Sequence, residues 1–320
     1  MVSIESVAKV ITGKTPPKAD PNCFGGNIPF ITPSELTDSD YLLKPETTLT
    51  EKGLATTKLI PKNSILVCCI GSLGKMAIAD LPVATNQQIN SVIFDDDKIY
   101  YRFGFYALKL LKNDLKKIAP STTVAIINKS RFSELKIPCP PLEEQKRIAT
   151  ILDKADGIHK KREQAIKLAD DFLRAKFLEM FGTPANNIHR FPKGTIRDLV
   201  DSVNYGTSAK ASIDSGEYPI LRMGNITYQG RWDFTDLKYL DLSVKEKDKY
   251  LVKEGDLLFN RTNSKELVGK TAVYEEDRPM AFAGYLIRVR PNSIGNNYYI
   301  SGYLNSIHGK ITLMNMCKSI

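Results

Sequence analysis

The sequence lacks several features that would assign it to a class of protein at once. Its uncharged stretches, such as residues 63–74, are too short to span a bilayer, and its first residues lack the basic and apolar segments of a secretory signal. The five cysteines include no CxxC pair, and the three histidines are scattered with no Cys or carboxylate at metal-ligand spacing. We therefore expect a cytoplasmic protein with free thiols, no membrane segment and no metal site.

Catalytic motifs are also missing. There is no GxxxxGK[ST] phosphate loop and no GxGxxG segment after a strand. Gly13–Thr15 matches only the end of such a loop and is better explained as a turn, while Cys139–Leu142 imitates the tetrad of amino-methyltransferases with the wrong terminal residues. A nuclease-like set of Asp114, Glu134 and Lys136 lies beside apolar residues, and no histidine has a nucleophile next to it in sequence. We expect no catalytic residue and no cofactor in this chain.

The chain carries a net charge of +9, with 45 Lys and Arg against 36 Asp and Glu. The excess lies in the regions 1–140 and 183–320, and the segment between them is nearly neutral. A positive excess of this size suits an anionic partner such as nucleic acid, although the same charge also serves solubility alone.

The middle of the chain predicts one long helix. Pro141 suits a first helical position, two glutamates follow it, and no further proline occurs before Pro184. A helix over residues 141–181 would be about 60 Å long at 1.5 Å per residue. Helices of globular domains are usually much shorter, so this one needs a special role.

Apolar residues recur along this segment at heptad spacing, which predicts a helix that pairs with another helix. The alternative is a helix that lies along its own domain. The residues expected to pack are Ile148, Ile151, Leu152, Ala155, Ile158, Ile166, Phe172, Leu173 and Met180.

Five segments before the helix recur in the same order after it. Gly13–Lys18 and Ile28–Leu36 correspond to Gly206–Ala211 and Tyr218–Ile226, with an offset of 193 between the two glycines. The matches that follow pair 60–67 with 252–259, 71–77 with 267–272, and 100–101 with 298–299. Ordered matches at a nearly constant offset indicate an internal duplication.

The predicted architecture is α+β, with two similar mixed α/β domains separated by a long helix of coiled-coil type. We place the first domain at residues 1–140, the helix at 141–182 and the second domain at 183–320. Strands are expected at 64–70, 255–259 and 286–289, and a short helix at 102–117. The second copy stops before an equivalent of the long helix, so we expect a truncated chain or a partner helix from elsewhere.

Polar and basic loops of the two copies are the candidates for nucleic-acid binding. Arg and Lys hold phosphates or guanine, and Asn and Gln suit adenine, although such loops are also common on plain surfaces. The candidates in the first copy are Lys14, Lys75, Asn86, Gln87 and Gln88. Those in the second copy are Arg222, Asn225, Arg261, Asn263, Ser264, Lys265 and Lys270. Two similar basic domains joined by a rigid helix would suit a DNA site in two parts.

The segment Phe132–Asp153, with its Pro-Pro-Leu-Glu-Glu-Gln entry into the helix, resembles the conserved region of specificity subunits of type I restriction–modification enzymes. The segments 28–33, 218–226 and 255–259 resemble the same family, so the resemblance covers essentially the whole chain. It implies two target recognition domains, each recognising one half of a split DNA sequence. It also implies a central helix that pairs with a second one near the C-terminus and docks modification subunits.

In that family the partner subunits carry the chemistry. The resemblance implies double-stranded DNA, modification (methyltransferase) subunits and a restriction (translocase and nuclease) subunit as partners, with S-adenosylmethionine, ATP and Mg on those subunits. The missing second helix leaves three expectations, namely a truncated product, self-assembly through the exposed helix, or completion by another chain. Two rivals stay open, a coiled-coil interaction protein without DNA specificity and an enzyme that is a remnant of a restriction–methylation fusion.

Overall fold

The computed structural model describes residues 1–37, 39–42, 45–118, 125–183, 186–187, 189–262 and 267–316. The chain divides into two compact units, Met1–Lys161 and Arg162–Ile320. The division falls inside the long helix, whereas the sequence-based boundaries of 140 and 183 stay predictions.

The first unit consists of short strands and short helices that precede the long helix. In chain order they are β1 (Val2–Ser3), α1 (Ile4–Val7), β2 (Ala8–Thr12), β3 (Phe24–Ile31), β4 (Thr48–Leu49), α2 (Glu51–Leu54), β5 (Ile65–Cys68), β6 (Met76–Ile78), β7 (Ala84–Thr85), β8 (Ile89–Phe94), α3 (Tyr101–Leu110), α4 (Lys112–Ile118), α5 (Lys129–Ser133) and β9 (Lys136–Ile137). The long helix, α6 (Leu142–Phe181), follows.

A four-stranded antiparallel sheet, in the order β2-β8-β5-β6, forms the middle of this unit. Strand β5 is buried along its whole length because its side chains enter two cores alternately, as the twofold repeat of a strand requires. Ile65 and Val67 pack into one hydrophobic cluster, and Leu66 and Cys68 pack into the other. A second sheet, β4-β3-β7, pairs β3 with β7 in parallel.

The second unit repeats this arrangement after α6. Its elements are β10 (Val200–Tyr205), β11 (Tyr218–Leu221), β12 (Lys238–Leu240), α7 (Val244–Tyr250), β13 (Leu257–Asn260), β14 (Thr271–Val273), β15 (Ala281–Phe282), β16 (Leu286–Pro291), α8 (Asn297–Asn305) and α9 (Ile307–Met316). Short 3-10 turns occur at Pro21–Cys23 in the first unit and at Ile196–Leu199 and Met223–Asn225 in the second.

The strand orders show that the duplication is real. The sheet β10-β16-β13-β14 repeats β2-β8-β5-β6, and β12-β11-β15 repeats β4-β3-β7, including the parallel pair. Leu257 and Leu258 also enter different clusters, as the residues of β5 do. The predicted α+β architecture of two similar domains with a long helix between them is confirmed.

Of the two helices predicted from the sequence, the long one agrees with the structure and the short one is interrupted. Helix α6 begins one residue after the predicted start and ends at the predicted Phe181. The helix predicted over 102–117 is divided into α3 and α4, because the backbone N–H of Leu111 bonds to Leu108 O and ends the first helix there.

Charged and polar side chains fix the N-terminal half of α6 to the first unit. Gln145 is fully buried and donates to the carbonyls of Lys98 and Pro140, both at 2.8 Å. Arg102 lies between two carboxylates, with Nη2 2.7 Å from Asp40 Oδ2 and Nε 2.5 Å from Asp153 Oδ1 on the helix. This face of the helix is therefore held by hydrogen bonds and ion pairs.

Asp40 is the centre of this charged cluster. It is 5% exposed and accepts a further bond from Lys109 Nζ at 3.0 Å, while Lys160 Nζ of α6 lies 3.5 Å away. Burial alone would raise the pKa of its carboxyl, but the hydrogen bonds from Arg102 and Lys109 outweigh burial and lower that pKa to about 2. The buried Asp40 carboxyl therefore stays ionised because Arg102 and Lys109 bond to it.

The C-terminal half of α6 contacts the second unit through different groups. Arg231 Nη2 pairs with Asp170 Oδ1 at 2.6 Å. The rings of Phe177 and Phe181 lie 5.6 and 5.0 Å from that of Tyr299. Aromatic packing thus accompanies the Arg231–Asp170 ion pair at this end of the helix.

Most apolar heptad residues of α6 are exposed and lie outside these contacts. Of the nine predicted packing residues, Ile148 packs against the core of its own unit. The other eight are exposed, with Ile166 and Phe172 at 56% and 60%. We call these eight the apolar stripe: Ile151, Leu152, Ala155, Ile158, Ile166, Phe172, Leu173 and Met180.

Candidate nucleic-acid interface

Strand pairing gathers three loops at one edge of the first unit. Thr12 at the end of β2 pairs with Asn90, near the start of β8, and Ile89 pairs with Cys68 at the end of β5. Strand β6 begins beside the end of β5. The loops 13–15, 69–75 and 86–88 therefore leave the sheet on the same side, and we call them the first edge.

The first edge contains all five residues predicted for the first copy. Lys14, Lys75 and Gln87 are exposed there. Asn86 is 6% exposed, and its amide donates to Gln88 Oε1 and accepts from Gln88 N, both at 3.0 Å. Asn86 thus holds Gln88 in place, while the other side chains are open to a ligand.

The backbone that follows β2 lies directly against the end of β7. A Cβ on Gly13 would lie 2.2 Å from Thr85 O, and Lys14 N donates to the same oxygen at 2.9 Å. The equivalent Gly206 has the same environment, with Ala283 O and Phe282 O both 2.3 Å from its hypothetical Cβ. Only glycine allows this approach, so both copies build their edges in the same way.

The second edge is formed by the equivalent loops of the second unit. Tyr205 at the end of β10 pairs with Ile287, and Asn260 at the end of β13 pairs with Leu286. Strand β14 begins opposite Phe259. The second edge consists of 206–207, 261–262, 267–270 and 283–285; the predicted contacts Asn263, Ser264 and Lys265 lie outside the described residues.

Arg261 is held in a defined orientation at the second edge. Its guanidinium carbon lies 5.0 Å from the centre of the Tyr205 ring, and its Nε donates to Gly284 O at 3.3 Å. Tyr205 and Tyr285 beside it are 60% and 59% exposed. An exposed Arg that lies over an exposed aromatic ring is suited to contact base edges and to stacking.

Sequence reasoning missed both tyrosines. A usable signal existed, because each is adjacent to a glycine of the edge, in the pairs Tyr205–Gly206 and Gly284–Tyr285.

Arg222 and Asn225 support a turn. Asn225 is 3% exposed; its amide donates to the carbonyls of Asp233 and Asp236 and accepts from Arg222 N. Arg222 Nη2 pairs with Asp236 Oδ2 at 2.9 Å. Their DNA contacts stay predictions, and in this conformation the turn itself occupies both side chains.

Lys270 is also buried, at 6% exposure. Its Nζ lies 3.5 Å from Met223 O and 5.0 Å from the centre of the Tyr228 ring. Its backbone belongs to the second edge, but its side chain is buried inside the unit.

Among the residues that the structure describes, no group of three or more His, Cys, Asp or Glu could hold a metal ion. No helix there is long and apolar enough to cross a membrane. The described cysteines Cys23, Cys68, Cys69 and Cys139 are free thiols.

The family model and the relatives that match this chain indicate the same family. The family model described as "Type I restriction modification DNA specificity domain" matches residues 1–168 and 191–316. The MjaIX specificity subunit of Methanocaldococcus jannaschii is 31% identical over 185 residues, which are 55% of this chain and 43% of that protein. The EcoKI specificity subunit of Escherichia coli K12 is 25% identical over 284 residues, or 82% of this chain and 61% of that protein.

Solved structures share the fold. The S subunit of a type I restriction–modification system from M. genitalium has a TM-score of 0.54 at 17% identity, and covers 98% of this chain and 78% of its own. A chain from a study of complex assembly and conformational transition of the type I R-M system has a TM-score of 0.52 at 16% identity, with coverage of 100% and 84%.

The matched regions amount to less than two thirds of the length of these curated relatives. The family model nevertheless covers both units, and the duplicated topology agrees with it. The chain belongs to the type I restriction–modification DNA specificity family.

Proposed function

We propose that this chain is the non-catalytic DNA-recognition subunit of a type I restriction–modification complex, and that each unit recognises one half of a bipartite target. The family match spans both units, and the relatives are named specificity subunits. The net charge of +9 favours a polyanionic partner.

One observation carries the proposal, namely that the same edge is built twice with different side chains. Gly13 and Gly206 pin the two edges in the same way, but the first presents Lys14, Lys75 and Gln87, and the second presents Arg261. A common backbone with different side chains is what two different half-sites require. Amides suit adenine, guanidinium suits guanine, and lysines suit phosphates.

The chemistry of the complex belongs to partner subunits in this proposal. Modification subunits would supply methylation with S-adenosylmethionine, and a restriction subunit would use ATP and Mg. The chain would act in the cytoplasm, where free thiols persist.

The salt dependence of DNA binding separates this function from a coiled-coil protein without DNA specificity. The chain would be co-expressed with its modification subunit, and its affinity for duplex DNA measured over a range of KCl concentrations. Phosphate contacts make log K fall linearly with log salt, by about 0.9 per contact. An assembled complex that bound no DNA would favour the coiled-coil alternative.

The apolar stripe favours a helical partner. A helix face that stays in water is normally polar, whereas this one has eight exposed apolar residues. We therefore propose that the apolar stripe packs against the helix of a second copy or of another chain.

We expect Leu173→Glu to weaken self-association of the full chain by about tenfold. Packing of the apolar stripe against a partner helix would remove the new carboxylate from water, which costs free energy. Sedimentation velocity at several concentrations measures this. Gln164→Glu adds the same charge off the stripe and serves as the control. A wild-type chain that stays monomeric at tens of micromolar would argue against the second copy.

A further inference from the structure

Three cations from separate elements of the second unit converge on Tyr228. Arg174 Nη2 of α6 and Lys310 Nζ of α9 both donate to Tyr228 O, at 3.3 and 3.4 Å. Lys270 Nζ and Lys310 Nζ lie 5.0 and 5.9 Å from the centre of its ring. We call Arg174, Lys270 and Lys310 the Tyr228 cation cluster.

The cluster has no anion of its own in the described chain. No carboxylate among the residues that the structure describes lies within 4 Å of any of the three cations. Asp170, one turn before Arg174, is instead paired with Arg231 at 2.6 Å. Tyr228 O can accept both of its bonds through its two lone pairs, and Lys270 bonds to Met223 O instead, but these neutral carbonyls leave the three positive charges without an opposite charge.

The arrangement is unfavourable for the chain alone. Burial lowers the pKa of Lys270. Burial and the charges of Arg174 and Lys270 lower the pKa of Lys310 to about 8. The protonated forms of both lysines are thus less favourable here than in a free lysine, and a bound anion would stabilise them by supplying the opposite charge.

The cluster lies where the proposed function needs an anchor. Lys270 immediately precedes β14, whose first residue pairs with Phe259, and Arg261 follows β13 in the same edge. The structure assigns the Tyr228 cation cluster as a binding site for a DNA backbone phosphate, next to the bases that Arg261 contacts. This assignment rests on the proposed function.

Two substitutions test it in the full chain assembled with its modification subunit. For Lys310→Gln and Arg174→Gln we expect an affinity for a 30-base-pair duplex about 5–10-fold weaker at 0.1 M KCl, with the salt slope reduced by about 1. Lys245→Gln, an exposed lysine on α7, removes the same charge elsewhere and should change affinity less than about twofold.

Stability separates a phosphate site from a structural role. Since Lys310→Gln removes a repelled charge, its melting temperature should equal or exceed that of the wild type, and Lys310→Arg should keep DNA affinity. A fall in melting temperature together with lost affinity that Lys310→Arg does not rescue would overturn the assignment. So would an affinity change no larger than that of Lys245→Gln.

Titration with inorganic phosphate distinguishes the source of the anion. If the variants bind DNA as the wild type does but lose phosphate binding, the occupant is a free anion and the assignment to DNA is wrong. If the assembled wild-type complex binds no DNA, the proposed function is wrong, and so is the assignment of a DNA phosphate to the Tyr228 cation cluster. Normal DNA binding with an unaltered salt slope in both variants overturns only the phosphate site.

Discussion

Replacing Asp40 with alanine is expected to lower the free energy of unfolding of the first unit by about 3–5 kcal/mol, the usual cost of breaking a buried ion pair. The loss leaves Arg102, whose side chain is 9% exposed, with Asp153 as its remaining ion-pair partner among the described residues. Lys109 and Lys160 lose their contact with the same carboxylate. The contact between α6 and the first unit should weaken with it.

The chain offers an internal control for this measurement. Trp232 is its single tryptophan and lies in the second unit, so the fluorescence transition in urea should stay where it is. Hydrogen exchange of β5 and β8 should report the loss in the first unit. Glu143→Gln breaks an exposed pair with Lys146 and should cost no more than about 0.5 kcal/mol. Equal effects of the two substitutions would contradict the buried role of Asp40.

The pH dependence of Asp40 has a definite sign. Its pKa falls from 3.8 to about 2 on folding, so the folded state favours the ionised carboxyl. The stabilisation is fully present above the unfolded value of 3.8 and is lost as pH falls through about 2. The difference in stability between the wild type and Asp40→Ala should therefore be constant at neutral pH and shrink below pH 4.

Arg261→Ala is expected to relax the choice of one base in one half of the target, with a loss of about 1–3 kcal/mol in discrimination if Arg261 makes a bidentate guanine contact. Tyr205 and the carbonyl of Gly284 hold the guanidinium in position, so little ordering accompanies binding. The frequencies of methylated adenines in a library of randomised targets measure the change.

Gln87→Ala is the matched change at the other edge. Thr15 Oγ1 donates to Gln87 Oε1 at 2.6 Å, so the amide is also oriented before binding. It should relax the other half of the target and leave the half altered by Arg261→Ala intact. Arg197→Ala removes an exposed arginine that precedes the start of β10, at the opposite end of that strand from the second edge, and should alter neither half. Changes in both halves from one substitution would contradict the assignment of one half to each unit.

The long helix and the duplication could be predicted because their signals are local or repeated. Prolines bound α6 in sequence, and matched segments at a constant offset carry the strand order twice. The face by which α6 contacts its units could not be predicted, because Arg102 and Asp153 are 51 residues apart and nothing local marks them as a pair.

The candidate site was predicted in part for a similar reason. The exposed Lys14, Gln87 and Arg261 lie in loops at the two edges, whereas Asn86 and Asn225 are buried. An amide in a loop can bond to its own backbone as well as to a base, and sequence does not distinguish the two. The sequence did not single out Arg174 and Lys310, because the Tyr228 cation cluster combines α6, α9 and the residue before β14, which are far apart in the chain.

The most direct test of DNA recognition is a map of methylated adenines in a host that expresses this chain with its modification subunit. We predict a split motif with a fixed gap, in which the edges of the two units determine different halves. Assembly of the complex without any sequence-dependent methylation would contradict it.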